Sequence, residues 1–201
     1  MKSMIAIAIV AAAGTTAAQE LTVNGGFETG DLTGWTPGLP AGATANVTSD
    51  SNTGAFAGTV FNNTPASAAL LRQEFIGQGV VQPGDEITIT FSAKGDFVEG
   101  GVFIAEFFSE QAGGGTSASE ILGGGPIFVS SEADYQTFSF TTFAGPDVTN
   151  GVTLQLVAAT GAATGSTAVL FVDDVSVFRV PSPASAALLG LGGLAAARRR
   201  R

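Results

Sequence analysis

EITITFSAK, residues 86–94, alternates strictly: Ile87, Ile89 and Phe91 fall on one side, Thr88, Thr90 and Ser92 on the other. A period of two is the signature of a strand with one face in a core and one in water. The same pattern recurs along the chain. GVTLQLVAAT (151–160) sets Val152, Leu154 and Leu156 opposite Thr153 and Gln155, and YQTFSFTTF (135–143) sets Phe138 and Phe140 against Thr137 and Ser139. ALLRQEF (69–75) and AVLFVDDVSVF (168–178) are further strands, and the more uniformly apolar VFIAEFF (102–108) is expected near a sheet centre. Turn-forming runs separate them: QPGD (82–85), QAGGGTS (111–117), GGGP (123–126) and AGPD (144–147). Short strands with such spacing predict an all-β fold, an antiparallel β-sandwich.

Composition agrees. Of 201 residues 45% are hydrophobic and only 12% charged, with 28 glycines and 15 phenylalanines. That mix suits strands and turns better than surface helices. There is no cysteine and no histidine. Disulfides, the usual zinc sites and Ser-His-Asp or Cys-His catalysis are therefore excluded. Between Glu20 and Val180 only Arg72, Lys94 and Arg179 stand against all 17 carboxylates. Such a body repels nucleic acid and attracts cations, calcium among them. The glycine triplets at 113–115 and 123–125 lack the Lys-Ser/Thr that a phosphate loop needs, and read as plain loops.

The two ends read as addresses. MKSMIAIAIVAAAGTTAAQE (1–20) has Lys2, an apolar stretch from Met4 to Ala13 and a small-residue exit, the three-part pattern of a secretory signal peptide. Cleavage after Ala18 is expected, with Ala13 as a second option. At the other end VPSPASAALLGLGGLAAARRRR (180–201) carries a proline pair, a charge-free run from Ala184 to Ala197 and four arginines. As a helix the run spans roughly 21 Å, short of a bilayer core of about 30 Å. The arginines stay cytoplasmic under the positive-inside rule, which predicts a transient C-terminal inner-membrane anchor with the body outside. A permanent anchor is the alternative. Val180, Pro181, Ser182 and Pro183, the apolar run and Arg198, Arg199, Arg200 and Arg201 resemble the PEP-CTERM sorting signal, with Ser182 where that signal has Glu. The resemblance implies an exosortase-type processing enzyme as partner, removal of the tail, and a place on the cell surface or in an extracellular matrix. The expected division is a signal peptide (1–18), a β-sandwich body (19–179) and a sorting segment with a hydrophobic helix (180–201).

The body opens LTVNGGFETGDLTGWTPG (21–38) and closes VLFVDDVSVFRV (169–180). The N-G-G-F-E element, the following G-W and the final V-D-D-V resemble carbohydrate-binding modules of families four and nine, which implies a jelly roll. In a jelly roll first and last strands can pair, bringing Glu28 to Asp173 or Asp174. Regular alternation puts Phe171, Asp173, Val175 and Val177 on one face and Val172, Asp174 and Ser176 on the other. One aspartate then faces inward and needs a partner. A structural calcium, which the resemblance implies, would be held by Glu28 with Asp173 and Asp174. The alternative is that an aspartate accepts hydrogen bonds from a turn. Trp35 and Tyr135 are the aromatic rings on which a sugar could stack, although core packing is the expected job of Trp35.

These observations lead to a non-catalytic, exported surface or matrix protein that binds exopolysaccharide through its jelly roll. A structural matrix protein without a specific sugar ligand is the alternative. A hydrolase would need two carboxylates roughly 5 to 9.5 Å apart across a cleft. Asp173 and Asp174, if they point to opposite faces, do not supply them.

Overall fold

A computed structural model describes residues 17–129 and 132–182. Residues 1–16 of the expected signal peptide, the apolar run and, of the expected sorting residues, Pro183 and Arg198 to Arg201 lie outside the described residues.

Among the described residues eleven strands follow one another: Gln19–Glu20 (β1), Thr36–Gly38 (β2), Thr44–Thr48 (β3), Ala57–Asn62 (β4), Ala68–Ile76 (β5), Glu86–Val98 (β6), Val102–Glu110 (β7), Thr116–Ile121 (β8), Gln136–Phe143 (β9), Val152–Ala159 (β10) and Thr167–Val180 (β11). They form two antiparallel sheets. The first has the order β3-β4-β11-β6-β9, with β1 also on β11; the second has the order β2-β5-β10-β7-β8. From β4 to β7 the chain alternates between the sheets strand by strand, and it does so again from β8 to β11. This is the expected jelly-roll sandwich. Among the described residues no helix is long and apolar enough to cross a membrane.

The expected alternation sets the core. Ile87, Ile89 and Phe91 from β6 meet Phe103, Ala105 and Phe107 from β7, with Leu154 and Leu156 from β10 and Leu170 and Val172 from β11, all essentially buried. Phe91 is the hub: its ring lies 5.7 Å edge-on from Phe103, 5.6 Å from Phe138 and 5.9 Å from Phe140. Truncating such a ring to alanine costs about 3–5 kcal/mol. The apolar β7 is not the centre of its sheet; β10 is. The isolated bridge from Phe103 to Ile127 brings a loop against β7, which accounts for its apolar character.

The first and last strands pair as expected, Gln19 opposite Arg179 and Glu20 opposite Phe178. The pleat of β11 differs from a regular strand. Its register with β6 shifts between Asp173 and Ser176, and Asp174 has φ 51°. One residue is inserted, as in a β-bulge. Val175 and Val177 therefore join Val172 in the core, while Asp173 and Asp174 both turn away from it.

Candidate functional site

The expected metal residues Glu28, Asp173 and Asp174 assemble on the outer face of the β11 sheet, where a loop spanning 49–56 covers it. Asp173 is fully buried there. The backbone N–H groups of Asn52 and Thr53 donate to its Oδ2 at 2.8 and 3.0 Å, and the N–H of Asp174 to its Oδ1 at 2.7 Å. Asp174 accepts from Asn52 Nδ2 at 2.7 Å and from the Thr53 hydroxyl. Glu28 accepts the N–H groups of Ala55 and Phe56, each at 3.0 Å. Three carboxylates thus clamp one loop. Gly54 is required for this, since a Cβ there would stand 2.3 Å from Glu28 Oε1. Burial raises the Asp173 carboxyl above the usual aspartate range, opposed by the donors of Thr53, Asp174 and Asn52, with the charge of Asp174 adding to the rise.

This donor set does not form the expected calcium cage. Among the described residues no three Asp, Glu, His or Cys side chains are grouped to hold a metal ion. The loop's N–H groups occupy the carboxylates instead, which is the turn-bonded alternative. The aspartates also do not point to opposite faces: the bulge turns both toward Asn52 and Thr53.

The N-G-G-F-E element explains itself in the same place. Gly25 O accepts the N–H of Val175 at 3.0 Å, so the loop holds the bulge. A Cβ on Gly25 would lie 1.9 Å from Val175 O. Asn24, at φ 53°, ties the loop by donating to the Asp31 and Thr33 carbonyls. Phe27 is fully buried and stacks on Trp35 at 5.2 Å, and the indole N–H donates to Asn24 O. Trp35 is a core residue, 5% exposed, and offers no platform to a sugar. Tyr135 is engaged as well. Its hydroxyl donates to Asp50 O at 2.6 Å, and Lys94 Nζ sits 4.7 Å from its ring centroid and 5.3 Å from that of Phe171. Lys94 is itself buried and paired with Asp50 at 2.7 Å. Desolvation, followed by the charges of Asp50, Asp173 and Asp174, pushes the phenol far above its usual range.

Of the residues expected to carry a sorting signal, Val180 ends β11 opposite Glu86. The Ser182 N–H donates to Asp85 Oδ1 at 2.9 Å, and Asp85 is buried against Arg179. The start of the proline motif is thus tied to the domain.

The other sheet has an open outer face, and there register builds a row that sequence reading missed. Thr36 stands opposite Arg72, Arg72 opposite Gln155, and Gln155 opposite Glu106. With strands about 4.8 Å apart the row is about 14 Å long. Gln155 Nε2 donates to Glu106 Oε2, and Arg72 Nη1 pairs with Glu74 at 3.0 Å. Arg72 Nε is buried with no hydrogen-bond partner among the described residues. Apolar groups flank the row: Leu70, Val157 and Ile104 on one side, Phe108 on the other. Val157 and Thr153 point outward from the central strand yet are only 5% and 4% exposed, walled in by longer neighbours. Each of β5, β7 and β10 carries one of these polar side chains mid-strand, the signal from which the row could have been read.

No family model matches the chain, and no curated protein matches it. Several solved structures resemble it. The enzymatically active domain of bacteriophage CBA120 tailspike protein 4 aligns with TM-score 0.60 at 15% identity, over 80% of this chain and 21% of that one. The CBM22-1 xylan-binding domain of Paenibacillus barcinonensis Xyn10C aligns with TM-score 0.57 at 14% identity, over 83% and 95%. A Stig cyclase, Fisc, from Fischerella sp. TAU aligns with TM-score 0.58 at 16% identity, over 83% and 100%. A binding module, a cyclase and a tailspike domain share the sandwich, so the likeness is one of fold, and function has to be argued from the site.

Proposed function

We propose that residues 19–179 are a non-catalytic polysaccharide-binding module of an exported protein that resides on the cell surface or in an extracellular matrix. The observation that carries this reading is the row Thr36, Arg72, Gln155 and Glu106 across the open face, with apolar side chains on both flanks. A polymer of alternating hydroxyl edges and C–H faces is matched by hydrogen-bonding groups beside apolar surface, and the Arg72 side chain, 33% exposed, is a donor such a ligand can use. Glu106 is engaged by Gln155 and Glu74 by Arg72, which suits binding rather than acid-base work. The xylan-binding neighbour lends support through its fold. In this reading the exosortase-type enzyme acts beyond Ser182 and the tail is a temporary inner-membrane anchor.

Affinity electrophoresis of the chain in gels containing xylan, β-glucan or exopolysaccharide tests the proposal. Retardation is expected in at least one, and Gln155→Ala or Arg72→Ala should reduce it about tenfold or more. Equal migration in every gel would leave the second reading, a structural matrix protein without a sugar ligand. That reading is favoured by one observation: Trp35 and Tyr135 are both committed to internal contacts.

A further inference from the structure

One rim of the β11 sheet breaks the pattern of its outer face. Away from the rim the outward positions are hydroxyls: Thr90 stands opposite Ser176 on one side and Ser139 on the other, and Thr88 stands opposite Thr141. In the last row the neighbours become Val180, Glu86 and Phe143. The pleat that turns Val177, Ile89 and Phe140 toward the core turns Phe178, Val180 and Phe143 out to solvent, where they are 36%, 36% and 62% exposed. With strands about 4.8 Å apart the last row is about 10 Å wide, and Phe178 lies about 7 Å above Val180. Both expected membrane-seeking segments leave from this rim. Ser182, whose N–H is bonded to Asp85, is followed by Pro183 and then by the apolar run from Ala184, so the run begins within about 7 Å of Ser182. Gln19, which follows the expected cleavage site at Ala18, pairs with Arg179. Arg179 is itself buried against Asp85 and offers no charge to the surface.

We propose that this rim is a membrane-resting surface, with Phe143, Phe178 and Val180 seated in the interface of a zwitterionic leaflet while the tail spans the bilayer. The proposal rests on the reading of the tail as an inner-membrane anchor. As a helix the run from Ala184 to Ala197 spans roughly 21 Å, about 9 Å less than a bilayer core. On the cytoplasmic side the arginines make up part of that shortfall by reaching for the headgroups with their long side chains. On the outer side Ser182 and Pro183 have no such reach, and the mismatch is relieved when the body settles into the interface. Aromatic and aliphatic side chains gain by leaving water there, whereas a rim of hydroxyls would not. The apolar residues stand in the row beside the tail, where a tethered body meets the bilayer. Glu86 between Val180 and Phe143, and Glu20 beside Phe178, disfavour anionic lipid.

Quenching by headgroup-nitroxide lipid, with the full chain in phosphatidylcholine vesicles, tests it, since a chain without cysteine accepts single-cysteine labels. An environment-sensitive fluorophore is placed at Thr141→Cys beside the rim, at Phe128→Cys near the β6–β7 hairpin at the opposite end of the sandwich, and at Leu191→Cys in the tail. Quenching at position 141 should exceed that at 128 by about threefold or more. Phe143→Ser with Phe178→Ser should cut it about twofold or more while the label at 191 keeps its depth. Gln155→Ala should change neither, which separates this surface from the polysaccharide row. Equal quenching at 141 and 128 with a lipid-embedded label at 191 would overturn the inference and leave the anchor standing. A label at 191 that stays in water would remove the anchor and the inference together. Undiminished quenching in the double variant would also overturn it, because the tether alone would then account for the proximity. So would stronger quenching at 141 in phosphatidylglycerol vesicles, or a blue shift there that needs no vesicles and grows with protein concentration, the sign of a second copy on the rim.

Discussion

The outer faces of the two sheets use polar residues for opposite ends. On the β11 sheet Asp173, Asp174, Glu28 and Lys94 are turned toward covering loops, and nearly every polar atom described there is bonded to the protein itself. On the β10 sheet Arg72, Gln155 and Glu106 lie in a row across the outer surface, with the Arg72 side chain 33% exposed. A carboxylate enclosed by loop N–H groups holds structure together, whereas a polar row left beside apolar surface is available to a ligand. An abundance of acidic residues thus says little about function until their partners are known.

The contrast can be broken most directly at Asp173. Asp173→Ala leaves three backbone N–H groups without their acceptor, and a loss of about 2–3 kcal/mol of stability is expected, measured by urea unfolding. Retention in polysaccharide gels should not change at temperatures where the variant is folded. A loss of binding with unchanged stability would show that the covered face is the functional one.

Acid provides a second measurement. Because burial raises the Asp173 carboxyl, the folded state takes up its proton before the unfolded chain does. Lowering the pH from neutral toward the ordinary aspartate value of 3.8 should therefore stabilise the wild type relative to Asp173→Asn. Glu20 works in the other direction. Its partial burial is outweighed by hydrogen bonds from Ser176, Thr22 and Val177, so its carboxyl lies below the usual range. The stability it adds is present above the unfolded value and is lost as the pH falls through the folded one. Unfolding curves of wild type and variant at matched pH values isolate the Asp173 contribution, and a gap that moves against the wild type on acidification would contradict it.

Smaller effects are expected on the open face. Gln155→Ala should change stability by only about 0.5 kcal/mol while sharply reducing gel retardation, because its side chain packs on a surface rather than in a core. The smallest is expected from calcium. With the loop N–H groups serving Glu28, Asp173 and Asp174, the melting temperature should be the same in calcium and in chelator. A calcium-dependent rise that Asp173→Asn abolishes would show that a cation replaces those donors.

Much of the fold was legible. The alternation in 86–94, 135–143 and 151–160 placed three strands within a residue or two at most of their ends, apart from the longer run of β6. The strands that escaped notice lack that contrast. TANVT and AGTVFN, now β3 and β4, are small and mixed, and TSASEI, now β8, is a largely exposed edge strand. A one-sided apolar pattern arises only where one face is buried, so an exposed edge leaves little trace. The site was less legible. Arg72, Glu106 and Gln155 lie 34 and 49 positions apart in the chain, and alternation assigns a face to each without giving the register that aligns them. Nor could V-D-D-V announce its bulge, because an extra residue reverses every facing after it while leaving the composition unchanged.

By itself, then, the sequence determined the sandwich, the acidic body without cysteine or histidine, and the pairing of first and last strands. The first two follow from local periodicity and composition, and the strand pairing from the jelly roll that the resemblance of the opening and closing motifs implies. Only the tertiary structure decided that Trp35 stacks on Phe27, that Tyr135 covers Lys94, that three carboxylates hold a loop, and that a polar row crosses the other sheet. Each of these depends on contacts between residues distant in the chain, and strand register with loop placement fixes such contacts where local pattern cannot.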